Sequence, residues 1–382
     1  MSAVKNSATG ANPALSIIVP CYNEAATIDV CIGKLLSFSG NHSISLEVIV
    51  VDDASTDASA QILDRIAAEH NGGGDGGIIK VFRHDKNRGK GAALRTGFIH
   101  ATGDFVGIHD ADDEYDPCDY LAMLEPLLAG KADVVYGSRY LRPDTRRVLY
   151  FWHTWMNYAL TRVSNMFTNL DITDMETCYK LFRRDVIQRI APLLKEERFG
   201  FEPEITARVA DSGCRVYECA ISYNPRTYEE GKKIGWKDGF RALYCIFHYS
   251  AHTAPLPMQI LIYLFIGGVS MLANMVFFML GNFLSVPLNY TIVGAFVLAA
   301  ALNYVLCILI LFRHKARWKT AGELFWYGVT TGLMGLVDFG LTRAFMALSG
   351  WLILPKLAAA IAGFIGNFLL RKWLVFPENK KR

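Results

Sequence analysis

Hydrophobic and polar positions follow two different patterns along this chain. Up to about residue 230, short apolar runs end in polar residues, and segments with helical spacing such as ATIDVCIGKLL and GKGAALRTGFIHA lie between them. The apolar runs read as buried strands: LSIIVPCYNE, LEVIVVDDAST, GIIKVFRHD, GDFVGIHDADD and KADVVYGSR. Strands that alternate with helices predict an α/β fold with a mostly parallel, doubly wound sheet.

Beyond Pro255 the polar positions become rare and the chain turns into long apolar stretches. Each stretch could cross about 30 Å of hydrocarbon as a helix. Buried helices of a soluble domain are the alternative, but several in succession favour membrane spans. The stretches are four in number, at about 257–280, 289–312, 325–348 and 353–375.

These two patterns divide the chain into domains. We expect a disordered tail first, because the N-terminal residues lack the apolar core of a signal peptide. A globular domain, a juxtamembrane amphipathic segment and a four-span transmembrane domain follow. The predicted bounds are 1–14, 15–235, 236–255 and 256–377.

Charges in the connections predict the orientation of the spans. The first and third connections carry no charge, whereas the second connection and the C-terminal end are basic. Because basic loops stay on the cytoplasmic side, we expect the globular domain and both termini in the cytoplasm. Small residues on the faces of the spans would allow self-association into a homo-oligomer. The basic residues are Arg313, Lys315, Arg317, Lys319, Arg371 and Lys372.

The apolar half also contains a candidate internal repeat. Gly268 and Gly332 are 64 positions apart, and so are Asn303 and Asn367. A constant offset across two hairpins indicates two copies of one two-helix unit. Chance similarity between apolar segments is the alternative, although matched polar positions weigh against it because polar groups are costly in lipid.

Composition adds limits on function. The 382 residues suffice for two domains, and a formal net charge of +3 gives no reason to expect a nucleic-acid partner. The eight cysteines are scattered without a CxxC pair. We therefore expect reduced thiols in a cytosolic or membrane-embedded setting rather than a disulfide framework or a cysteine-ligated metal.

The segment HDADDEYDP crowds carboxylates directly after a predicted strand. Asp110 and Asp112 lie two positions apart, so in an extended chain they share a face. Unpartnered carboxylates would raise one another's pKa, and a Mg²⁺ or Mn²⁺ ion would relieve that repulsion. A solvated acidic loop is the alternative interpretation. Polar residues also end the first two strands, and ligands bind outside the carboxyl ends of parallel strands.

The motifs VPCYNE, VVDDASTD, NRGKGAALRTG and DADDEYDP, in this order, resemble those of family 2 glycosyltransferases of the GT-A fold. YGSRY and PRTYEEGKK narrow the resemblance to polyprenyl-phosphate sugar synthases, similar to dolichol-phosphate mannose and glucose synthases. The apolar half, including NFLLRKWLVF, resembles the GtrA-like membrane domain. The resemblance implies transfer of a hexose from GDP-mannose or UDP-glucose to polyprenyl or dolichyl phosphate, with inversion.

The resemblance also assigns roles to residues. It implies that Asp110 and Asp112 bind the metal and the diphosphate, and that Asp112 is catalytic. Glu114 stands where relatives often have glutamine and is a candidate third metal ligand. The nucleotide-binding residues implied are Pro20, Tyr22, Glu24, Asp53, Lys90 and Asp110.

A lipid phosphate acceptor is already anionic, so the reaction needs no strict general base. The site must instead bring two anions together, which requires cations. We predict Arg139 and Arg226 as catalytic residues among a larger set that binds the acceptor phosphate. That set is Arg139, Arg146, Arg147, Arg226 and Lys233.

Two aromatic segments, 146–167 and 237–252, mix tryptophan, tyrosine and phenylalanine with polar residues. They suit helices that lie in the headgroup layer of a bilayer, with ordinary core helices as the alternative. Two other functions remain open. One is a processive polysaccharide synthase. Such enzymes carry a Gln-x-x-Arg-Trp motif, which His314-x-x-Arg317-Trp318 matches only poorly. The other is a carrier or flippase, for which Asp338 and Arg343 in the third stretch are the motivation.

Overall fold

The structure is a computed structural model that divides into two compact units, Met1–Ser250 and Ala251–Arg382. The predicted tail lies outside the described residues except for position 14, and so do the loop at 313–321 and most of the fourth apolar stretch. The structure describes residues 14–71, 78–141, 147–225, 236–312, 322, 325–334, 336–337, 344 and 365–375.

The first unit is built on a seven-stranded sheet with the order β3-β2-β1-β4-β6-β5-β7. Strands β1 to β4 run parallel, β5 and β7 pair in parallel, and β6 is antiparallel to both of its neighbours. The predicted mostly parallel sheet is therefore confirmed. The strands are β1 Leu15–Cys21, β2 Leu46–Asp52, β3 Ile79–Arg83, β4 Phe105–Ile108, β5 Val134–Ser138, β6 Lys180–Arg183 and β7 Val216–Ala220.

In the described part of the first unit, eight α-helices lie between or after these strands. In the first of them, apolar residues recur every three or four positions and are buried against the sheet, as at Ile28, Ile32 and Leu35. The helices are α1 Ile28–His42, α2 Ser59–Asn71, α3 Lys90–His100, α4 Tyr120–Leu128, α5 Phe151–Thr168, α6 Arg184–Ile190, α7 Phe201–Asp211 and α8 Trp236–Ser250.

The core of this unit lies around the first two strands. Every residue of β2 is buried, and so is every residue of β1 except Pro20, which is half-buried. A strand covered on both faces explains why these segments are continuous apolar runs instead of alternating ones. The central strands are therefore held rigidly, and their carboxyl ends form a fixed edge.

The five predicted strands are all present, whereas β6 and β7 were not predicted. β6 is only four residues long, KLFR, and begins with the buried Lys180. β7 lies at the sheet edge and has no buried residue: Tyr217 is exposed and the other four residues are partly buried. Neither segment therefore has the continuous apolar run that marks the central strands.

Helices α5 and α8 pack against each other and coincide with the two predicted aromatic segments. The rings of Phe167 and Phe247 meet edge-on at 4.9 Å between centroids. Other aromatic side chains of both helices face outward: Phe151, Trp152, Trp155, Tyr158, Phe240 and Tyr244 are each at least half exposed. These two helices together present an aromatic surface, which we call the α5–α8 face.

The described residues of the second unit are mostly helical, apart from 251–255 and 284–287. α9 spans Leu256–Phe283 and α10 spans Leu288–Leu306, after which Cys307–Phe312 is π-helical. Among the described residues, α9 is the helix that is long and apolar enough to cross a membrane, with a mean hydropathy of 2.1. Further helical pieces lie at 325–334 and 365–370, and Arg371–Val375 is π-helical.

A polar cluster lies inside the second unit around Arg371, which is only 3% exposed. Its guanidinium donates to Asn303 Oδ1 at 2.8 Å and to Thr331 Oγ1 at 3.1 Å. It also stacks over the ring of Tyr327 at 3.9 Å and that of Tyr263 at 5.6 Å. These contacts tie segments from both ends of the apolar half together.

Candidate active site

The site lies at the carboxyl edge of the sheet, where β2, β1 and β4 are adjacent. The amide of Asp53 donates to Cys21 O at 2.8 Å, and the amide of His109 donates to Ile18 O at 3.0 Å. The ends of these three strands are therefore side by side, as predicted. The polar residues that follow them share one edge.

Asp53 binds a backbone turn between β3 and α3. Its carboxylate accepts hydrogen bonds from the amides of Arg88 at 3.0 Å and Gly89 at 2.6 Å. His84 Nδ1 also contacts it at 2.6 Å. Because Asp53 is only 2% exposed, these groups satisfy a carboxylate that burial would otherwise penalise. Asp53 thus fixes the position of the turn that begins α3.

Lys90 follows that turn and reaches the acidic loop. Its Nζ lies 2.8 Å from one oxygen of Asp110 and 2.9 Å from the other, and 3.6 Å from Glu202. Burial alone would raise the pKa of Asp110, but the Lys90 ammonium and the contact with Cys178 outweigh it and lower that pKa. Burial raises the pKa of the Cys178 thiol, which stays neutral beside the ion pair. Lys90 therefore neutralises the first carboxylate of the loop.

The next two carboxylates lie further along the same loop. Asp112 accepts a hydrogen bond from the amide of Glu114 at 3.3 Å, and Glu114 accepts one from the hydroxyl of Tyr223 at 2.8 Å. Asp113, between them, has a positive φ of 60° and pairs with Lys34. The loop thus turns sharply after Asp112, which separates Glu114 from the extended part of the chain.

The chemistry of this loop fits a divalent ion that shares its ligands with a substrate. No group of three or more Asp, Glu, His or Cys side chains in the described part of the chain is arranged to hold a metal by itself. Magnesium is commonly held by one or two carboxylates, with substrate phosphate oxygens and water completing its shell. The pair Asp110 and Asp112 matches that requirement.

The three residues predicted for the nucleoside at the end of β1 lie at the same edge. Pro20 pairs with Val51 within the sheet. Tyr22 is 38% exposed. Glu24 donates its amide to Ser59 Oγ at 3.0 Å and accepts from the hydroxyl of Thr27 at 3.1 Å. The segment after β1 is therefore anchored to the segment after β2.

Arg139 follows β5 and is clamped by Asp174. Its Nε and one terminal nitrogen donate to the two oxygens of Asp174 at 2.7 and 2.8 Å, and its amide donates to the same carboxylate at 3.1 Å. The side chains are 11% and 0% exposed, respectively. The guanidinium also lies over the ring of Tyr223, 5.2 Å from its centroid. Asp174 therefore fixes the orientation of the predicted acceptor-binding arginine.

A cavity of about 170 Å³ opens beside Arg139. Arg147, the second described arginine of the predicted set, also lines it and donates to Pro225 O at 3.0 Å. Tyr223 lines this cavity and hydrogen-bonds Glu114, so the cavity adjoins the acidic loop. The remaining wall mixes apolar and polar side chains, namely Tyr140, Val148, Leu149, Tyr150, His153, Thr154, Asn157 and Pro225.

Several residues of this site were not predicted from the sequence. Asp174 and Tyr223 carry no motif of their own, and their roles come from the contacts with Arg139. Glu176 has one buried oxygen without a hydrogen-bond partner. Burial, followed by the nearby Glu202 carboxylate, raises its pKa from 4.5 to about 8. Three predicted residues lie outside the described residues: Arg146, Arg226 and Lys233.

Comparison with known protein families decides the class. A model described as glycosyl transferase family 2 matches residues 16–191, and one described as GtrA/DPMS transmembrane domain matches residues 262–376. Residues 16–191 are therefore similar to family 2 glycosyltransferases, and residues 262–376 are similar to GtrA/DPMS transmembrane domains. The sheet of the first unit is the Rossmann-like, mostly parallel sheet of the GT-A fold, as the resemblance implied.

Individual relatives are similar to the first half of this chain. It is 28% identical over 229 residues to glycosyltransferase AglD of Haloferax volcanii, covering 57% of this chain and 34% of that protein. It is 28% identical over 223 residues to a dolichyl-phosphate beta-glucosyltransferase of Saccharomyces cerevisiae, covering 55% and 66%. It is 26% identical over 228 residues to polyprenol monophosphomannose synthase of Mycolicibacterium smegmatis, covering 57% and 80%. The chain thus spans about a third of the first relative and just under two thirds of the second.

Proposed function

We propose that this protein transfers a hexose from a nucleotide sugar to a polyprenyl or dolichyl phosphate, with inversion at the sugar. The observation that carries the proposal is the cavity lined by Arg139 and Arg147, which adjoins the acidic loop through Tyr223. The relatives named for dolichyl-phosphate glucosyl transfer and polyprenol monophosphomannose synthesis support the acceptor class. Glucose and mannose both remain candidate donor sugars.

In this proposal, the nucleotide sugar binds at the edge formed by β2, β1 and β4. Asp110 and Asp112 would hold Mg²⁺ or Mn²⁺, with Glu114 as the candidate third ligand. Such an ion, when bound, would neutralise the diphosphate and make it a better leaving group. Pro20, Tyr22, Glu24 and Asp53 would bind the nucleoside. Lys90 lies beside Asp110, where the diphosphate would bind, so its ammonium would help to neutralise the negative charge of the diphosphate.

The acceptor side requires a phosphate to enter beside Arg139. Asp174 holds that guanidinium in place, so the acceptor meets a cation whose orientation is already fixed. Arg147 would add a second positive charge on the same wall. Arg146, Arg226 and Lys233 remain predicted members of this set. The acceptor oxygen is anionic, so the residues need only bring it within reach of the sugar.

The lipid part of the acceptor and the membrane half give the setting. We propose four spans in the C-terminal half, with the glycosyltransferase domain and both termini in the cytoplasm. The exposed aromatic side chains of the α5–α8 face suit a headgroup layer. The chain runs from α8, which ends at Ser250, to α9, which begins at Leu256. Reaction on the cytoplasmic leaflet follows from this arrangement.

The test is sugar transfer by the purified full-length protein in nanodiscs with Mn²⁺ and undecaprenyl or dolichyl phosphate. UDP-glucose, GDP-mannose and UDP-N-acetylglucosamine are offered separately, and the lipid product is detected by mass spectrometry. We expect one donor to give a phosphosugar, and removal of Mn²⁺ with a chelator to abolish its formation. Absence of a lipid-linked product with every donor would reject the proposed reaction.

Variants separate the metal role from the acceptor role. Asp112→Asn removes a proposed ligand and is expected to abolish transfer, with Asp64→Asn on α2 as the control, because Asp64 is 65% exposed. Arg147→Gln is expected to raise the KM for the lipid phosphate, with Arg162→Gln on α5 as the control for loss of an arginine. Undiminished transfer by Asp112→Asn would remove that residue from the metal site.

A further inference from the structure

Glu196 is a buried carboxylate that lies outside the donor and acceptor sites. It is 7% exposed and lies between α6 and α7. Two residues of α8 bind it: Arg241 donates to its oxygens at 2.7 and 2.8 Å, and the Tyr249 hydroxyl donates at 2.9 Å. α8 is therefore attached to the body of the first unit at one carboxylate by charge-assisted hydrogen bonds.

The backbone next to this carboxylate is also fixed by hydrogen bonds. Glu204 of α7 is 0% exposed and accepts the amides of Lys195 at 2.8 Å and Glu196 at 2.7 Å. Arg208 donates to Glu204 and lies over the ring of Tyr249 at 5.3 Å. The segment 195–197 thus has little freedom to move independently of α7 and α8.

This same segment contacts the turn that begins α3. The amide of Gly91 donates to Glu197 O at 2.9 Å, and the Arg88 guanidinium lies 3.1 Å from the Glu197 carboxylate. A Cβ at Gly89 would clash with Glu197 O, and one at Gly91 would clash with Glu196 O. Gly89 also has a φ of 101°, which favours glycine. The turn and the segment are therefore packed backbone against backbone.

The far side of the turn reaches the proposed donor site. Asp53 accepts the amides of Arg88 and Gly89, and Lys90 pairs with Asp110. One continuous series of hydrogen bonds and backbone contacts therefore leads from α8, through Glu196 and Glu197, to both residues. α8 is also the last helix before α9, the described helix that can cross a membrane.

We propose that Arg241 and Glu196 are positioning residues for the donor, which hold the turn 88–91 through segment 195–197. Neither residue touches the proposed substrates. Their effect is to set where the amides of the turn and the Lys90 ammonium lie relative to Asp53 and Asp110. This inference rests on the proposed function only for its kinetic consequence, because the position of the turn can be measured without any substrate.

The first test is hydrogen–deuterium exchange of the full-length protein in nanodiscs, without substrate, on peptides that cover residues 86–95. In Arg241→Gln we expect exchange in the turn to accelerate about tenfold, the factor that corresponds to one hydrogen bond to a charged group. Arg215→Gln is the matched control, because Arg215 makes a similar pair with Asp133 at the far edge of the sheet. The two arginine side chains are 53% and 54% exposed.

A second variant leaves both charges in place. Gly200→Ala introduces a Cβ that would clash with the Glu196 carboxylate and with Cys245 Sγ of α8, so it displaces the carboxylate from Arg241. We expect it to reproduce the exchange pattern of Arg241→Gln, and Arg241→Lys to restore part of the protection. Exchange that rises in α8 and segment 195–197 but stays unchanged in 86–95 would overturn the proposal, because the pair would then only attach α8.

The kinetic readout uses whichever donor supports transfer in the wild type. Arg241→Gln is expected to raise the KM for the nucleotide sugar several-fold while the KM for the lipid phosphate stays within twofold. Equal changes in both constants would contradict a role at the donor turn. If the wild type transfers no sugar, the proposed function fails, whereas the exchange measurements still decide whether α8 positions the turn.

Discussion

Asp174 and Arg139 allow a sharp test of what burial contributes at the acceptor site. The chain contains a second aspartate–arginine pair with the same bonding pattern, Asp133 and Arg215. In that pair the arginine amide, Nε and a terminal nitrogen donate to the carboxylate at 2.9, 2.9 and 2.7 Å. The corresponding distances at Asp174 are 3.1, 2.7 and 2.8 Å. The two pairs therefore differ mainly in exposure.

The perturbation is Asp174→Asn, compared with Asp133→Asn. Asparagine removes the negative charge and keeps one acceptor oxygen, so the buried guanidinium loses its partner in the first case. Breaking one side of a buried pair costs about 3–5 kcal/mol. An exposed pair contributes about 1 kcal/mol or less, and the Arg215 and Asp133 side chains are 54% and 21% exposed. We expect the two variants to differ by about 3 kcal/mol.

The assay is thermal unfolding of the purified full-length protein, followed by the change in near-ultraviolet circular dichroism. For a domain of this size, about 1 kcal/mol corresponds to a shift in Tm of roughly 2–4 °C, so the Tm of Asp174→Asn should lie about 6–12 °C below that of Asp133→Asn. Transfer should show a raised KM for the lipid phosphate. Equal, small shifts in both variants would refute the reasoning that Asp174 fixes a buried Arg139.

Three further changes test other parts of the structure. In the wild type, the free energy of unfolding should fall as pH rises from about 5 to 8, because the unfolded chain releases the Glu176 proton near pH 4.5 while the folded state holds it up to about pH 8. Glu176→Gln should remove this decrease, which urea unfolding across the same pH range measures. Gly89→Ala should destabilise the first unit by about 1–3 kcal/mol, because its φ of 101° and its contact with Glu197 O both oppose a side chain. Arg371→Gln should lower the Tm of the second unit in detergent, because the guanidinium bonds to Asn303 are lost.

Each of these has a contradicting outcome. A stability profile for Glu176→Gln that parallels the wild type would mean that the carboxyl is ionised in the folded state. An unchanged midpoint for Gly89→Ala would mean that the turn can move away from segment 195–197. An unaltered Tm for Arg371→Gln would mean that the polar cluster does not stabilise the helices, for which Trp373→Phe, at a 67% exposed position, is the control.

The central fold and the acidic edge could be predicted from the sequence because their information is local. β1 and β2 are continuous apolar runs, which identifies them as buried strands. Asp53 directly follows β2, and Asp110 lies two positions after the end of β4, so both aspartates were predicted at the carboxyl edge of the sheet. The reversed β6 could not be predicted in this way. The direction of β6 depends on which strands it pairs with after α5, and the four residues of β6 show no sequence pattern that specifies this pairing.

The acceptor side was predictable only in part. Arg139 was found through a motif, but its partner Asp174 is 35 positions away, and no spacing rule connects the two. The cavity draws on residues from 139–157 and 223–225, so its existence depends on tertiary packing. Glu176 reads as one more acidic loop residue, and its raised pKa arises only because the fold buries it near Glu202.

The two tyrosines that face Arg371 connect the two halves of the candidate repeat. Tyr263 and Tyr327 are 64 positions apart (327 − 263), the same offset as the candidate repeat. The position that corresponds to Arg371 under this offset, 371 − 64, is Cys307, so one guanidinium contacts two rings at equivalent positions of the candidate repeat. A substitution at either ring therefore alters the surroundings of the same buried cation, and through it the packing of the other ring.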